Sequence, residues 1–160
     1  VLILLMRPFR VGDYIVDAAG NEGVVDEIQI IYTKLRTVDN KIVVLPNGNL
    51  ANNSITNVTT SKTRRCDIVV GIAYDSDIKL AKEVIMEVLK NDPDSLKDND
   101  MNVFVDKLAE SSINLGVRCW FDTDNYFNGL WRLNEEIKNA LDKANITIPF
   151  PQMDVHMKND

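Results

Sequence analysis

The run Cys66-Asp67-Ile68-Val69-Val70-Gly71-Ile72-Ala73-Tyr74, followed directly by Asp75-Ser76-Asp77, decides how the rest of the chain is read. Its first part is apolar enough for a buried strand, and the three polar residues offer side-chain oxygens to the first turn of a helix. That helix carries Ile78, Ala81, Ile85, Val88 and Leu89 on one face, and Asn91-Asp92-Pro93 ends it. Met101, Val103 and Val105 then alternate, as do Ile113, Leu115, Val117, Cys119 and Phe121, which predicts two strands joined through Glu110-Ser111-Ser112. Asp122-Thr123-Asp124 is expected to cap a second helix, with Phe127, Leu130, Trp131, Ile137, Ala140 and Leu141 at helical spacing. Trp120 and Trp131 both read as core residues. Residues 146–150 are expected to form a last strand, which Pro149 and Pro151 confine to a sheet edge or a rigid exit. The order β-α-β-β-α-β is that of a ferredoxin-like α+β domain, here residues 63–160.

Toward the N-terminus the pattern changes to short β-branched runs at residues 11–16, 24–32, 33–38, 41–45 and 55–58. The breaks between them include residues 18–23, Asp39-Asn40 as a two-residue hairpin signal, and Pro46-Asn47-Gly48-Asn49. Five such strands with no helix to cover them bury one face by curling on themselves, which predicts a small five-stranded open β barrel, Sm-like, over residues 7–62. Residues 59–65 are polar and aperiodic and read as the junction. Its basic cluster, Lys62, Arg64 and Arg65, reads as solvated linker or interdomain pairing, with the lining of an ion path as the alternative.

Val1-Leu2-Ile3-Leu4-Leu5-Met6 is the densest apolar run and begins without an initiating methionine, so it reads as cut from something longer. As a helix it would rise about 9 Å, against roughly 30 Å of bilayer core, so it cannot span alone. Two readings stand: the last turns of a membrane span, ended by Arg7-Pro8, or a buried first strand.

Chemistry is sparse. The net charge of −6 discourages contact with nucleic-acid phosphates. Cys66 and Cys119 lie far apart and read as small buried hydrophobes, and a single histidine, His156, assembles neither a zinc site nor a triad. No phosphate-cradling glycine motif occurs, and no aspartate or glutamate is assigned an acid–base role. The residues predict no enzyme, cofactor or metal.

Four blocks carry a family resemblance: residues 7–14 (Arg-Pro-Phe-Arg-Val-Gly-Asp-Tyr), with Gly23 after them, residues 36–48 (Arg-Thr-Val-Asp-Asn-Lys-Ile-Val-Val-Leu-Pro-Asn-Gly), residues 71–78 (Gly-Ile-Ala-Tyr-Asp-Ser-Asp-Ile) and residues 148–155 (Ile-Pro-Phe-Pro-Gln-Met-Asp-Val). In this order they closely resemble the small-conductance mechanosensitive channel family (MscS). The resemblance implies the cytoplasmic vestibule of a tension-gated, weakly selective channel of the inner or plasma membrane, releasing ions and small osmolytes on hypo-osmotic shock. It implies seven copies forming a hollow cage, contact with membrane lipid through helices that this sequence lacks, and no cofactor. Residues 1–6 match the foot of the pore-lining helix, and Met6, Arg7, Pro8 and Phe9 its hinge into the β domain. Pro46, Asn47 and Gly48 match a structural turn. Lys34 and Arg36 share a strand face that is expected to look toward the membrane-side loops or headgroups. Pro149, Phe150 and Pro151 match the C-terminal exit toward a terminal barrel, which is expected to be shortened or missing here. The alternative is a soluble regulatory or protein-interaction module built on the ferredoxin-like half.

Overall fold

A computed structural model describes residues 2–157. Val1, read above as part of the pore-helix foot, and residues 158–160 lie outside the described residues. The chain divides into two compact units, residues 1–62 and 63–160.

The N-terminal unit runs α1 (Leu2–Met6), β1 (Tyr14–Asp17), β2 (Glu22–Ile28), β3 (Tyr32–Arg36), β4 (Ile42–Pro46), α2 (Asn47–Asn52) and β5 (Ile55–Asn57). The strands form one antiparallel sheet in the order β4-β3-β2-β1-β5. Alternation sends Ile15, Val25 and Leu35 to one face, where they are fully buried with Ile3, Phe9 and Leu50. Three expectations are corrected here. The apolar N-terminal run is helical where described, not a strand. The Pro46–Asn49 break opens a helix: Pro46 ends β4 and stands at the N-cap of α2, where its missing N–H costs nothing, and Leu50 of α2 enters the core. The β3–β4 connection is also wider than a two-residue hairpin, with Asn40 alone in the left-handed region at φ 64°.

The C-terminal unit runs β6 (Thr63–Ile72), α3 (Ile78–Asn91), β7 (Asn102–Leu108), β8 (Ile113–Asp122), a 3₁₀ turn at Thr123–Asn125 and α4 (Tyr126–Lys143). The sheet order is β6-β8-β7, all antiparallel. Ile113, Leu115, Val117, Cys119 and Phe121 present a continuous buried face, against which α3 sets Ala81, Ile85 and Leu89 and α4 sets Leu133, Ile137 and Leu141. Gly129 lets α4 approach: a β-carbon there would stand 2.4 Å from the Phe121 ring.

Four expectations fail in this unit. Residues 146–150 are not a strand. One backbone bond, Ala73 N–H to Thr147 C=O at 2.9 Å, begins the pairing, but Pro149 and Pro151 have no N–H to continue it, and the chain turns so that Gln152 N–H reaches Ser111 Oγ at 3.0 Å. Arg64 and Arg65 lie within β6, not in a linker, because the strand begins at Thr63. Asp77 caps α3, accepting from Leu80 N–H at 3.0 Å, whereas no side-chain cap holds the start of α4, whose first turn continues the 3₁₀ turn. Finally, Trp131 is 65% exposed: the buried stripe of α4 follows Gly129-Leu133-Ile137 and leaves Trp131 on the opposite side.

Candidate functional site

Two of the groups singled out above flank the N-terminal sheet: Met6, Arg7, Pro8 and Phe9 lead toward β1, and Pro46, Asn47 and Gly48 lie where β4 passes into α2, beside the β2–β3 connection. In the first group, Arg7 N–H closes α1 on Ile3 C=O at 2.9 Å, and Arg7 itself takes φ 45°. A left-handed residue followed by proline is a sharp helix stop. Met6 and Arg7 stay exposed, whereas Phe9, two residues later, is 2% exposed in the core. Burying such a ring removes most of its 150–250 Å² from water. The hinge is therefore pinned on one side by α1 and on the other by the sheet.

Asp13 completes the clamp. Its carboxylate accepts from Arg10 N–H (2.9 Å), Asn57 Nδ2 (2.9 Å) and Thr59 Oγ1 (3.2 Å), so one side chain joins the residues entering β1 to those leaving β5. Burial alone would raise the carboxyl pKa. The hydrogen bonds from Asn57, Arg10 N–H and Thr59, with the Arg10 charge, outweigh it and hold the group below its usual range.

Asn47 is the second anchor. Its Oδ1 accepts from Thr33 Oγ1 at 2.7 Å, its Nδ2 donates to Gln29 C=O (2.7 Å) and Ile30 C=O (3.1 Å), and its N–H donates to Ile31 C=O (2.8 Å). Thr33 and Asn47 are both buried. The β2–β3 connection is thus held rigid while Ile30 (71%) and Ile31 (64%) project into solvent. Gly48 faces open space. Sequence reasoning found Pro46-Asn47-Gly48 as a turn but missed both the clamp and the exposed apolar tip it supports. An isoleucine pair between two strands was the available signal.

Lys34 and Arg36 do share a strand face, and each has an acidic partner on β2: Lys34 Nζ to Glu27 at 2.8 Å, and Arg36 forked on Asp26 at 3.1–3.2 Å. Asp26 and Glu27 are adjacent in sequence and would point to opposite faces of a regular strand. A bulge between Val25 and Glu27 lets both meet the basic pair. The hydrogen bond and charge of Glu27 raise the Lys34 pKa.

The basic cluster does not act as one patch. Lys62 is exposed ahead of β6, while Arg64 and Arg65 alternate to opposite faces. Arg64 stacks over the Tyr126 ring at 3.7 Å, and Arg65 forks onto Asp67 at 2.9 Å, which Arg118 also approaches at 3.4 Å. At the C-terminal exit Phe150 is 85% exposed and Pro151 is exposed, with Pro149 half-buried.

Comparison with known proteins gives these elements a family. Residues 1–60 match the region described as mechanosensitive ion channel, beta-domain, and residues 66–148 match mechanosensitive ion channel MscS, C-terminal. The chain belongs to the MscS family. It is 45% identical over 157 residues to the small-conductance mechanosensitive channel of Edwardsiella ictaluri, covering 98% of this chain and 54% of that protein. An MscS family protein of Archaeoglobus fulgidus is 36% identical, covering 100% of this chain and 56% of the relative. The crystal structure of Helicobacter pylori MscS in its closed state superposes with a TM-score of 0.93 at 35% identity, covering 99% of this chain and 63% of that one. The chain spans about half the length of the curated MscS relatives it matches. Among the described residues no helix is long and apolar enough to cross a membrane.

Proposed function

We propose that this MscS-family chain is the cytoplasmic vestibule portion of a tension-gated, weakly selective channel of the inner or plasma membrane, releasing ions and small osmolytes on hypo-osmotic shock. Seven copies form the cage in this reading, and membrane lipid is met through helices outside this sequence. The observation that carries it is the match to two successive channel regions, in order, across both units. The N-terminal unit is assigned as a five-stranded open β barrel of Sm-like type, which the order β4-β3-β2-β1-β5 supports, and the C-terminal unit as ferredoxin-like, supported by the order β6-β8-β7 with both helices on one face.

In mechanical terms α1 is the foot of the pore-lining helix and residues 6–9 are its hinge. Proline's locked φ, the left-handed Arg7 and the buried Phe9 leave few soft torsions, so displacement of the helix is passed to the sheet instead of being absorbed. The Ile30-Ile31 tip held by Asn47, and the Lys34/Arg36 face, are assigned to the membrane side. Six net negative charges per chain favour cation entry where they lie within a Debye length, about 8–10 Å, of the ion path.

Patch-clamp of the full-length protein in a host stripped of its own tension-gated channels tests the reading. Currents that open with suction are expected, and membranes that stay silent up to rupture sink it. Arg36→Glu is expected to shift the activation threshold, and an unchanged threshold removes the membrane-side assignment of that face. Light scattering of the full-length protein should give a large ring, whereas a monomer or dimer favours the regulatory module.

A further inference from the structure

Cys66 and Cys119 are the chain's two cysteines, remote in sequence, and the register of β6 on β8 sets them directly opposite each other. Both are free thiols with no exposed surface. Both point to the helix-covered face, since Cys66 alternates with Ile68, and Cys119 with Val117 and Phe121. A directly opposed antiparallel pair has its Cα atoms about 4.5–5.5 Å apart, inside the roughly 4.4–6.8 Å that a disulfide bridges. The register therefore sets the two residues at a backbone separation that a disulfide can span.

We propose that Cys66 and Cys119 form a reversible thiol–disulfide site, oxidised by hydrogen peroxide, whose bond staples the edge strand β6 to the central strand β8. The Cys66 sulfur attacks one peroxide oxygen. The O–O bond breaks, the departing hydroxide takes up the proton Cys66 has lost and leaves as water, and Cys66 becomes a sulfenic acid. The Cys119 sulfur then attacks the Cys66 sulfur, the S–O bond breaks, and a second water leaves with the Cys119 proton. Two thiols thus give up two hydrogens and two electrons to one peroxide, and a dithiol reductant reverses the step.

The order of events follows from position: Cys66 lies on the edge strand β6 and Cys119 on the central strand β8. The contact between the two sulfurs holds the Cys66 pKa below its usual value, and with burial it pushes Cys119 up. Access follows from position. β6 is the sheet edge, its tie to the following segment (Ala73 to Thr147) lies beyond its C-terminal end, and Cys66 is near its N-terminal end. Fraying of that end, which releases Arg64 from the Tyr126 ring, admits a molecule the size of peroxide without global unfolding.

The test uses the full-length protein, purified reduced, exposed to hydrogen peroxide under native conditions and alkylated in denaturant before peptide mapping. The expected product is a linked pair of peptides containing Cys66 and Cys119, lighter by two hydrogens and released by dithiothreitol. Tryptophan-monitored unfolding should then shift upward by ~10 °C or more, because the cross-link constrains the unfolded chain. Quantitative alkylation of both cysteines, sulfinic acid without linkage, or linkage only between chains each overturns the proposal. In Cys119→Ser a Cys66 sulfenic acid should be trapped by dimedone, whereas Cys119 in Cys66→Ser should remain a thiol. Faster trapping of Cys119 than of Cys66 overturns the assigned order.

Discussion

Breaking the ion pair between Asp92 and Arg132 is expected to destabilise the C-terminal unit far more than breaking an exposed pair on the same helix. Asp92 follows α3, and its side chain has no exposed surface. Arg132 reaches it from α4 with Nε at 2.7 Å and Nη2 at 3.0 Å, and also holds Asp94 at 2.8 Å. The Asp92 carboxylate further accepts from the N–H groups of Asp94 and Ser95, both at 2.9 Å. Removing one partner of a buried pair costs about 3–5 kcal/mol. In Arg132→Met two backbone donors still face Asp92, and Arg132 is 28% exposed, so a loss discounted below that range, ~2–3 kcal/mol, is expected. Asp92→Asn keeps the volume but forfeits the charge-assisted bonds, for a loss of about 2 kcal/mol. The assay is urea unfolding followed by tryptophan fluorescence. Both tryptophans, Trp120 and Trp131, lie in this unit, so the signal reports on it alone. The control is Lys138→Met, which breaks the exposed Lys138–Asp142 pair and should cost no more than about 0.5 kcal/mol. If Arg132→Met falls within error of Lys138→Met, the clasp carries no net stability and the reasoning is refuted.

The same pair sets a pH dependence. Burial alone would raise the Asp92 pKa, but Arg132 and the N–H groups of Asp94 and Ser95 bring it below the ordinary value of 3.8. A carboxylate depressed in the folded state contributes its full stability above its unfolded pKa and loses it as pH falls through the folded one. The stability gap between wild type and Asp92→Asn should therefore be constant above about pH 5 and close as pH drops below 4; a gap that stays constant down to pH 2 contradicts this.

Three further outcomes concern packing. Phe9→Ala should cost the N-terminal unit about 3–5 kcal/mol, read as lost hydrogen-exchange protection in β1 to β3 with the tryptophan transition unmoved. Asn47→Leu strands the Thr33 hydroxyl and the carbonyls of Gln29 and Ile30, and at about 1–3 kcal/mol for each group left unpaired it should loosen the β2–β3 connection, visible as faster exchange of the residue 47 N–H, which donates to Ile31 C=O, and of the Gln29 N–H, which donates to Tyr32 C=O. Gly129→Ala gains about 1 kcal/mol of helix propensity but must displace the buried Phe121 ring, so a net loss of ~1–2 kcal/mol in the tryptophan-monitored transition is expected.

Elements whose signal is local were legible in the chain. The alternation in β8, the Asp77 cap and apolar stripe of α3, and the stop at Asn91-Asp92-Pro93 depend on neighbours two to four residues away, and they stand where periodicity puts them. The α4 stripe was harder. Gly129 carries no hydrophobic signal, yet it marks the contact line, and placing Trp131 inside followed from counting apolar residues without knowing which side meets Phe121. Prolines were read correctly as limits on the 146–150 segment, but whether a strand still forms there depends on donors facing it across the sheet.

From the amino-acid order alone came the division into a β unit and an α+β unit and the family resemblance, because secondary-structure period and motif spacing are properties of short stretches. Register and loop path decided the rest. They turned Arg64 and Arg65 from a shared patch into residues of opposite faces, brought Asp26 and Glu27 to one side through a bulge, buried Asp92 beneath Arg132, and set Cys66 against Cys119. Each of these pairings joins segments whose meeting is fixed by the packing of a whole sheet, so no window of sequence contains both the residue and the reason for its partner.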